Sequence, residues 1–423
     1  MVAVATWTVA AALLGFSVRR VVLLVAAVLP RPHPGEARAE PLSVTVITAA
    51  RNEGAHVEDL LAALDRQEYP RGSVFTVLVD DASDDDTAEA LGRWASERDR
   101  ARCVRLASRV GKSAALNEGI AAAPPSDLIA ICDADLRPRA GWLATLAAPF
   151  ADETVGVASG LLVPRNASAS LVARYAATES WVHQLVTSAG KDRLDLNPPA
   201  HGASMYRREA LEGIGLFPGG GRPGEDVQAS AALTRAGWRT RFIPGAVVEN
   251  TVTEGLRDYW HQHIRWARNV WATSGLRREP AKPRPLRRRV EAVLSSLGYA
   301  DRVVFVLAVA LAAAGVLTRW LPAAYAGVAT AEVVVAVGKA GALRRVPGFL
   351  ASTVVLFPVD VLASAAAGAA HLARRPRGWR TDSRAQRVLP ERLGPLEEGF
   401  AGEAGGIGAG ERAGGRGDVG DPG

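Results

Sequence analysis

The chain has 423 residues, of which 48% are hydrophobic, with 50 Lys and Arg against 44 Asp and Glu and only two cysteines. Two cysteines support neither a disulfide framework nor a zinc site built on cysteine ligands. The net charge of +6 does not indicate nucleic acid as a partner, because most arginine clusters lie beside apolar stretches and no DNA-reading motif is present. The length allows one large domain with membrane segments, and the concentration of apolar residues at 2–29 and 302–370 favours that arrangement.

Residues 1–30 predict an N-terminal membrane anchor. An apolar run over 2–18 is followed by Arg19 and Arg20 and then by a second apolar run over 21–29. A cleaved signal peptide would carry its positive charge first and end in a small-residue cleavage site, so an uncleaved anchor is the better interpretation. The arginines then place the next domain in the cytosol. The second run either lengthens the span or lies in the interface.

Residues 41–275 alternate between short β-branched runs and helical stretches. Strands are predicted at 43–48, 75–80, 128–132 and 155–160, and helices at 57–67 and 87–98. This alternation predicts an α/β domain with an open, mostly parallel sheet, whose ligands bind at the carboxyl ends of the strands.

The remainder of the chain is predicted to lie at the membrane. A basic segment, 276–301, is expected along the inner membrane face, and apolar stretches at 303–318, 321–338 and 347–370 predict C-terminal transmembrane segments over 302–370. Pro358 and Asp360 make the third stretch a candidate for a broken or re-entrant segment. Three full crossings would place the basic sequence HLARRPRGWR outside, against the positive-inside rule, so the number of crossings stays open. Residues 371–423 are predicted to form a cytosolic tail that is partly disordered.

Two acidic clusters follow predicted strands. Asp133 and Asp135 point to the same side where the chain leaves the strand, and their hard oxygen donors suit Mg²⁺ or Mn²⁺ bridging a diphosphate; solvated loop acids are the alternative. In the sequence DDASDDDT, residues 84–86 are expected to cap the following helix, while Asp80 or Asp81 can reach a base or ribose.

Three further motifs each allow a functional and a structural interpretation. Gly111-Lys112-Ser113 lacks the first glycine of a phosphate loop, which leaves Lys112 for a single contact to donor phosphate or base. Glu225 and Asp226 either favour a helix N-terminus or supply a base on a mobile loop. Gln262, Arg265 and Trp266 share one helix face, which suits either an interfacial anchor or contacts to diphosphate and sugar. His261 and His263 point apart, so we do not expect them to share a metal.

In the order AARNE, DDASDDDT, GKSAALNEG, DAD, GED and QHIRW, these motifs resemble the membrane-bound family 2 glycosyltransferases. That group includes the synthases of cellulose, chitin, hyaluronan and poly-N-acetylglucosamine. The resemblance covers residues 41–275 and extends to the flanking membrane segments. It implies a GT-A nucleotide-sugar-binding fold, a Mg²⁺ or Mn²⁺ cofactor and direct displacement at the anomeric carbon with inversion.

The resemblance also implies a role for individual residues. The donor nucleoside and diphosphate would contact Ala49, Arg51, Glu53, Asp81, Lys112 and Asp133. The metal would be held by Asp135 and shared with Asp133, and Asp226 would be the catalytic base. Diphosphate and acceptor would be held by Glu225, Gln262, Arg265 and Trp266. Ala49 stands where the family often has Pro, and Gly224 where it has Thr before Glu-Asp, which weakens any inference of a particular polymer.

The leading hypothesis is an inverting, metal-dependent hexosyltransferase of the cell membrane. It would use a nucleotide-sugar donor, with a UDP-sugar expected, and extend a glycan or glycolipid at the cytosolic face. One alternative is a non-processive transferase to a polyprenyl phosphate or another lipid. Another is a non-catalytic membrane subunit that binds nucleotide-sugar. Expected partners are the donor, a glycan or lipid acceptor, the membrane and an accessory export subunit, but no nucleic acid.

Overall fold

The computed structural model describes residues 2–30, 41–218, 224–273 and 285–372. The predictions for the glycine-rich stretch at 219–223, for the first part of the basic segment, 276–284, and for the tail beyond residue 372 lie outside the described residues.

One sheet forms the centre of the catalytic region. Its strands are β1 (Val44–Ala50), β2 (Val74–Asp80), β3 (Ala101–Arg105), β4 (Leu128–Cys132), β5 (Arg137–Pro138), β6 (Val155–Pro164), β7 (Ala203–Arg207) and β8 (Arg239–Asn250). Their order is β3-β2-β1-β4-β7-β6-β8-β5. The predicted strands β1, β2, β4 and β6 are confirmed, and β4 has the predicted bounds.

The sheet is mostly parallel, with two exceptions. β3, β2, β1 and β4 pair in parallel, and so do β6 and β8. β7 runs antiparallel between β4 and β6, and the two-residue β5 pairs antiparallel with β8. The sequence motifs follow the parallel half, which brings their strand ends to one edge of the sheet.

The helices begin with α1 (Val2–Val28), which is one unbroken helix through both apolar runs. Those of the catalytic region are α2 (Gly54–Asp65), α3 (Thr87–Ser96), α4 (Lys112–Ala122), α5 (Trp142–Ala147), α6 (Leu171–Trp181), α7 (Ala189–Arg193), α8 (Arg208–Gly213), α9 (Glu225–Ala236) and α10 (Leu256–Thr273). A π-helical turn, Val182–Ser188, joins α6 to α7. The last four are α11 (Leu286–Ser296), α12 (Ala300–Ala313), α13 (Trp320–Lys339) and α14 (Val346–Leu372).

Two apolar layers cover the sheet, because alternate strand residues point to opposite faces. Val44 and Val46 of β1 pack on one face with Leu60 of α2 and Trp142 of α5. Ile47 packs on the other face against residues of α4, α8 and α9. Both faces are buried, which explains the almost continuously apolar sequence of the central strands.

Three of the described helices are long and apolar enough to cross a membrane: residues Ala3–Val28, Trp320–Lys339 and Leu343–Ala370; a fourth span results if the bent pair α11 and α12 is counted as one. α14 continues through Pro358, so the break that we expected in this segment is not observed. Asp360 is 2% exposed and lies against the catalytic region, which explains an acidic residue in an apolar helix.

The long apolar helices and the catalytic region pack directly on each other. At Gly190 in α7, an added Cβ atom would lie 2.4 Å from the carbonyl oxygen of Leu23, so only glycine allows α1 to approach this closely. Arg20 pairs with Asp301 at 2.7 Å and also with Glu332, which satisfies an arginine inside α1. The doublet Arg19-Arg20 therefore joins α1 to other helices of the protein.

Candidate active site

The carboxyl ends of β1, β2 and β4 bring the predicted polar clusters together. β1 lies between β2 and β4, and their parallel registers align the ends of all three strands. Glu53 follows β1, Asp80 ends β2, and Asp133 follows β4. The predicted grouping of acidic residues at one edge of the sheet is therefore observed.

Lys112 lies at the centre of this edge. Its Nζ atom is 2.7 Å from Oδ1 of Asp133 and 2.6 Å from Oε1 of Glu225. Burial acts to lower the pKa of Lys112, but Asp133, Glu225 and Asp226 outweigh it and raise that pKa well above its usual value. The ammonium therefore links the DAD motif to the GED motif, a contact that the sequence did not predict.

Three carboxylates, those of Glu53, Asp133 and Asp135, concentrate negative charge at this edge of the sheet. Burial, followed by the charges of Asp135, Asp133 and Asp85, raises the pKa of Glu53 to about 8. Burial, opposed by Lys112, raises the pKa of Asp133 to about 6. Such mutual repulsion between carboxylates is what a divalent cation relieves, and oxygen is the donor type that Mg²⁺ and Mn²⁺ prefer. Asp133 and Asp135, with Glu53 nearby, carry donors of this type, and their role as metal ligands stays a prediction.

The acidic stretch after β2 fixes the loops of the site. Asp81 accepts hydrogen bonds from the backbone N–H groups of Val110 at 2.6 Å and Gly111 at 2.9 Å, immediately before Lys112. Asp85 accepts bonds from the N–H groups of Thr87 at 3.0 Å and Gly54 at 3.1 Å, at the first turns of α3 and α2. Of the three acidic residues expected to cap the helix, Asp85 makes this bond, while Asp86 at the N-cap position makes none with its side chain.

The loop after β1 is joined to the loop after β2. Arg51 donates from Nη1 to the carbonyl oxygen of Asp81 at 3.0 Å, and Asn52 exchanges bonds with Ser83 and Asp84 at 3.1 and 2.9 Å. Ala49 lies in β1 at the register position of Val79. Arg51 and Asp81 thus lie together, as a shared nucleoside pocket requires, although their present hydrogen bonds are structural.

Glu225 and Asp226 form the first turn of α9, where Gly224 adopts a left-handed conformation with φ of 81°. Burial and the charge of Glu225 raise the pKa of Asp226 well above the usual aspartate range. A carboxyl group that titrates near neutral pH is suited to accept a proton. Burial lowers the pKa of Arg265 in α10, and the charges of Glu225 and Asp226 oppose that effect.

The QHIRW motif lies on α10, as predicted. Gln262 is half-buried and Trp266 is 43% exposed, so an indole face is available on this helix. His261 is exposed whereas His263 is 4% exposed, which confirms that the two side chains point apart. His263 stacks on Tyr259 with ring centroids 3.7 Å apart.

Gly202, which precedes β7, was not among the predicted site residues. A Cβ atom at this position would lie 2.1 Å from Oδ2 of Asp133, and the carbonyl of Gly202 accepts a hydrogen bond from the Asp133 N–H at 3.0 Å. His201 beside it bonds through Nε2 to the carbonyl oxygen of Gly160 at 2.8 Å. The glycine in the sequence PAHGAS was the available signal, because close approach of two backbones is a common reason for one.

A second acidic group lies at the membrane side of α10. Ligand atoms of Glu179, His263 and Asp360 are all within 4.8 Å of one another, a separation that could hold a metal ion. Arg302 contacts both carboxylates, however, at 3.2 Å from Oδ2 of Asp360 and by a close ion pair with Glu179. The guanidinium already supplies positive charge to this group, as the ammonium of Lys112 does to Asp133 and Glu225 at the sheet edge.

The comparison with known families decides the identity of this region. The family described as glycosyltransferase like family 2 matches residues 41–269, more than half of the chain. The chain belongs to this family. The mannosyltransferase PcManGT from Pyrobaculum calidifontis, whose structure contains GDP-Man and Mn²⁺, superposes with a TM-score of 0.59 at 23% identity, covering 89% of this chain and 99% of that one. Family and structural likeness together confirm the GT-A-like fold.

The chain is also similar to curated relatives. An N-acetylglucosaminyltransferase of Azorhizobium caulinodans is 31% identical over 57% of this chain and 63% of its own length. One of Rhizobium meliloti is 28% identical over 56% and 58%. A beta-monoglucosyldiacylglycerol synthase of Trichormus variabilis is 28% identical over 56% and 51%. The chain therefore spans between about half and two thirds of the length of these relatives.

Proposed function

We propose that this protein transfers a sugar from a nucleotide-sugar to a glycan or glycolipid acceptor at the cytosolic face of a membrane, with inversion at the anomeric carbon. The observation that carries the proposal is the arrangement of Asp133, Lys112 and Glu225 at the sheet edge of a family 2 domain, with Asp226 adjoining Glu225. A metal-ligand candidate, a phosphate-binding cation and a candidate base meet within one chain of direct contacts.

Each of these residues has a distinct task in the proposed reaction. Arg51 and Asp81 would hold the nucleoside, while Lys112 and Arg265 would bind diphosphate oxygens, which guanidinium and ammonium groups suit. Asp226 would accept the proton of the acceptor hydroxyl as that oxygen attacks the anomeric carbon. One displacement without a covalent sugar intermediate inverts the configuration.

Asp133 and Asp135 would hold a Mg²⁺ or Mn²⁺ ion. When bound, such an ion neutralises charge on the departing diphosphate. Lys112 already lies on Asp133, so donor and metal binding would move its ammonium from carboxylate to phosphate. That exchange would also release Glu225 from its ion pair, beside Asp226.

The acceptor is assigned by class only. The relatives named as N-acetylglucosaminyltransferases support sugar transfer without specifying an acceptor, and the relative named as a beta-monoglucosyldiacylglycerol synthase supports a glycolipid. The packing of α10 against α14 supports an acceptor that reaches the site along the membrane boundary. The non-processive transferase to a lipid therefore remains our second proposal, with the accessory export subunit expected only if a polymer is made.

The test uses the full chain purified in detergent, with radiolabelled UDP-GlcNAc, UDP-glucose and GDP-mannose, each with and without Mn²⁺. Asp226→Asn should remove transfer while leaving donor binding, and Glu97→Gln at the exposed end of α3 is the control. Product size separates a polymer from a single transfer, and the anomeric configuration of the product reports inversion. Donor binding without transfer in the wild-type protein would instead support the non-catalytic subunit.

A further inference from the structure

A cavity of about 280 Å³ lies where the catalytic region meets the start of α14. It is lined by Ser168, Arg174, Arg345, Gly348 and Phe349. Arg174 comes from α6 of the catalytic region, whereas Arg345 comes from the short link between α13 and α14. Two guanidinium groups from different parts of the chain therefore face one cavity.

No carboxylate of the described residues compensates the charges of these two arginines. Within residues 2–30, 41–218, 224–273 and 285–372, neither Arg174 nor Arg345 is paired with a carboxylate, and Arg345 donates only to the hydroxyl of Ser168 at 3.3 Å. Neighbouring arginines behave differently: Arg19 pairs with Glu291 at 2.7 Å and Arg302 with Asp360 at 3.2 Å. Two unpaired cations that share a cavity favour an anion between them.

The cavity is open because of the glycine in the first turn of α14. At Gly348 an added Cβ atom would have Nη1 of Arg174 as its nearest neighbour, at 3.5 Å. A larger side chain would therefore extend towards the guanidinium and fill the space that an anion needs. Ser168 is exposed and Phe349 is 2% exposed, so the cavity has a polar mouth and an apolar wall.

The position along the chain indicates where the anion comes from. The cavity lies between the end of α13 and the beginning of α14, at the common end of two helices that are long and apolar enough to span a membrane. Leu343 beside it is 62% exposed, and Val354 and Val355 further along α14 are 76% and 58% exposed. If the anion is the phosphate of a lipid, the acyl chains of that lipid could extend from the cavity along this apolar face.

We propose that Arg174 and Arg345 bind the phosphate of an anionic glycerophospholipid at this cavity, with the Ser168 hydroxyl as a further hydrogen-bonding group. Planar guanidinium groups bind phosphate oxygens in pairs, and basic residues at the cytosolic end of membrane helices recognise anionic headgroups. A zwitterionic headgroup fits less well, since its ammonium would be repelled by the two arginines. The site is separate from the residues assigned to sugar transfer.

The experiment measures lipid binding to the full chain in detergent by native mass spectrometry, titrated with phosphatidylglycerol, phosphatidylcholine or inorganic phosphate. The double variant R174Q/R345Q should raise the apparent Kd for phosphatidylglycerol about tenfold or more. Arg344→Gln is the matched control, because this exposed neighbour does not line the cavity. Gly348→Leu keeps both charges but fills the space, and it should weaken binding as well.

Unchanged phosphatidylglycerol binding in the double variant, or equal weakening by Arg344→Gln, would overturn the proposal. If inorganic phosphate binds with the same dependence on the two arginines and phosphatidylglycerol is not preferred to phosphatidylcholine, the site takes free phosphate and the lipid assignment is wrong. Thermal melting checks that each variant is folded. Should the double variant be unfolded, Gly348→Leu and the single Arg345→Gln decide the outcome, since Arg345 is exposed.

Discussion

The contact between Gly202 and Asp133 allows a quantitative prediction for Gly202→Ala. The new Cβ atom would lie 2.1 Å from Oδ2, 2.5 Å from Cγ and 2.9 Å from Oδ1 of Asp133. These distances must open to at least an ordinary contact, so the carboxylate has to move by about 1 Å, away from its place beside Lys112. A displacement of that size in a positioned catalytic group costs on the order of 100-fold in rate, or about 2.7 kcal/mol in activation free energy.

The assay measures the initial rate of sugar transfer at saturating donor, together with the Mn²⁺ affinity of the donor-free protein. Gly202→Ala should lower both, because Asp133 is a candidate ligand as well as the partner of Lys112. Gly92→Ala is the matched control: nothing lies within 4 Å of its added Cβ atom, and alanine is favoured inside α3. If Gly202→Ala retained wild-type rate and Mn²⁺ affinity while remaining folded, the assignment of Asp133 to the donor site would be refuted.

Three further predictions address other parts of the molecule. Asp135→Asn should weaken Mn²⁺ binding by about tenfold or more, measured by electron paramagnetic resonance of the free ion, because a charged oxygen ligand is lost. Asp226 must be ionised to act as a base, so kcat/KM should fall as pH decreases through its raised pKa. Lys112 opposes that rise in pKa, hence Lys112→Met should move this acid limb of the kcat/KM profile to higher pH; an unmoved limb would argue against Asp226 as the base. Tyr259→Phe removes the hydrogen bond to Oδ1 of Asp360 at 2.5 Å and should lower the free energy of unfolding by about 1.5–3 kcal/mol, measured by thermal unfolding with His261→Ala as the exposed control.

The parallel half of the sheet could be predicted because its strands are short, apolar and followed by polar loops. β4 is buried at every position, so its residues are apolar. Polar residues first become possible where the strand ends, and Asp133 and Asp135 lie there. β7 could not be predicted, since the sequence ASMYR has no clear alternation and its antiparallel pairing with β4 and β6 depends on tertiary packing. Period and composition predict which segments form strands, but not the direction in which a short central strand runs.

For the candidate site, too, local sequence pattern was informative and tertiary contacts could not be predicted. The positions of Asp133 and Asp226 in the chain indicated two functional clusters, but not that Lys112 would join them. Glu225 follows Lys112 by more than a hundred residues, and the ion pair depends on α4 and α9 packing on the same sheet face. The ion pairs of Arg20 could not be predicted from the sequence either, because the carboxylates that contact it lie on α12 and α13, far along the chain.

Helix α10 lies between the candidate active site and the apolar helices α12 and α14. On one face, Arg265 interacts electrostatically with Glu225 and Asp226, whose charges act to raise its pKa.

On the opposite side of α10, Tyr259 and His263 are buried, with Tyr259 donating to Asp360 of α14 and Asp360 in contact with Arg302 of α12. A fragment that ended at residue 275 would lose Asp360 and leave two buried aromatic side chains without their packing partners. We expect that α10, which carries Arg265, would then be less firmly held in its place. The apolar helices α12 and α14 are therefore part of the scaffold against which α10 packs.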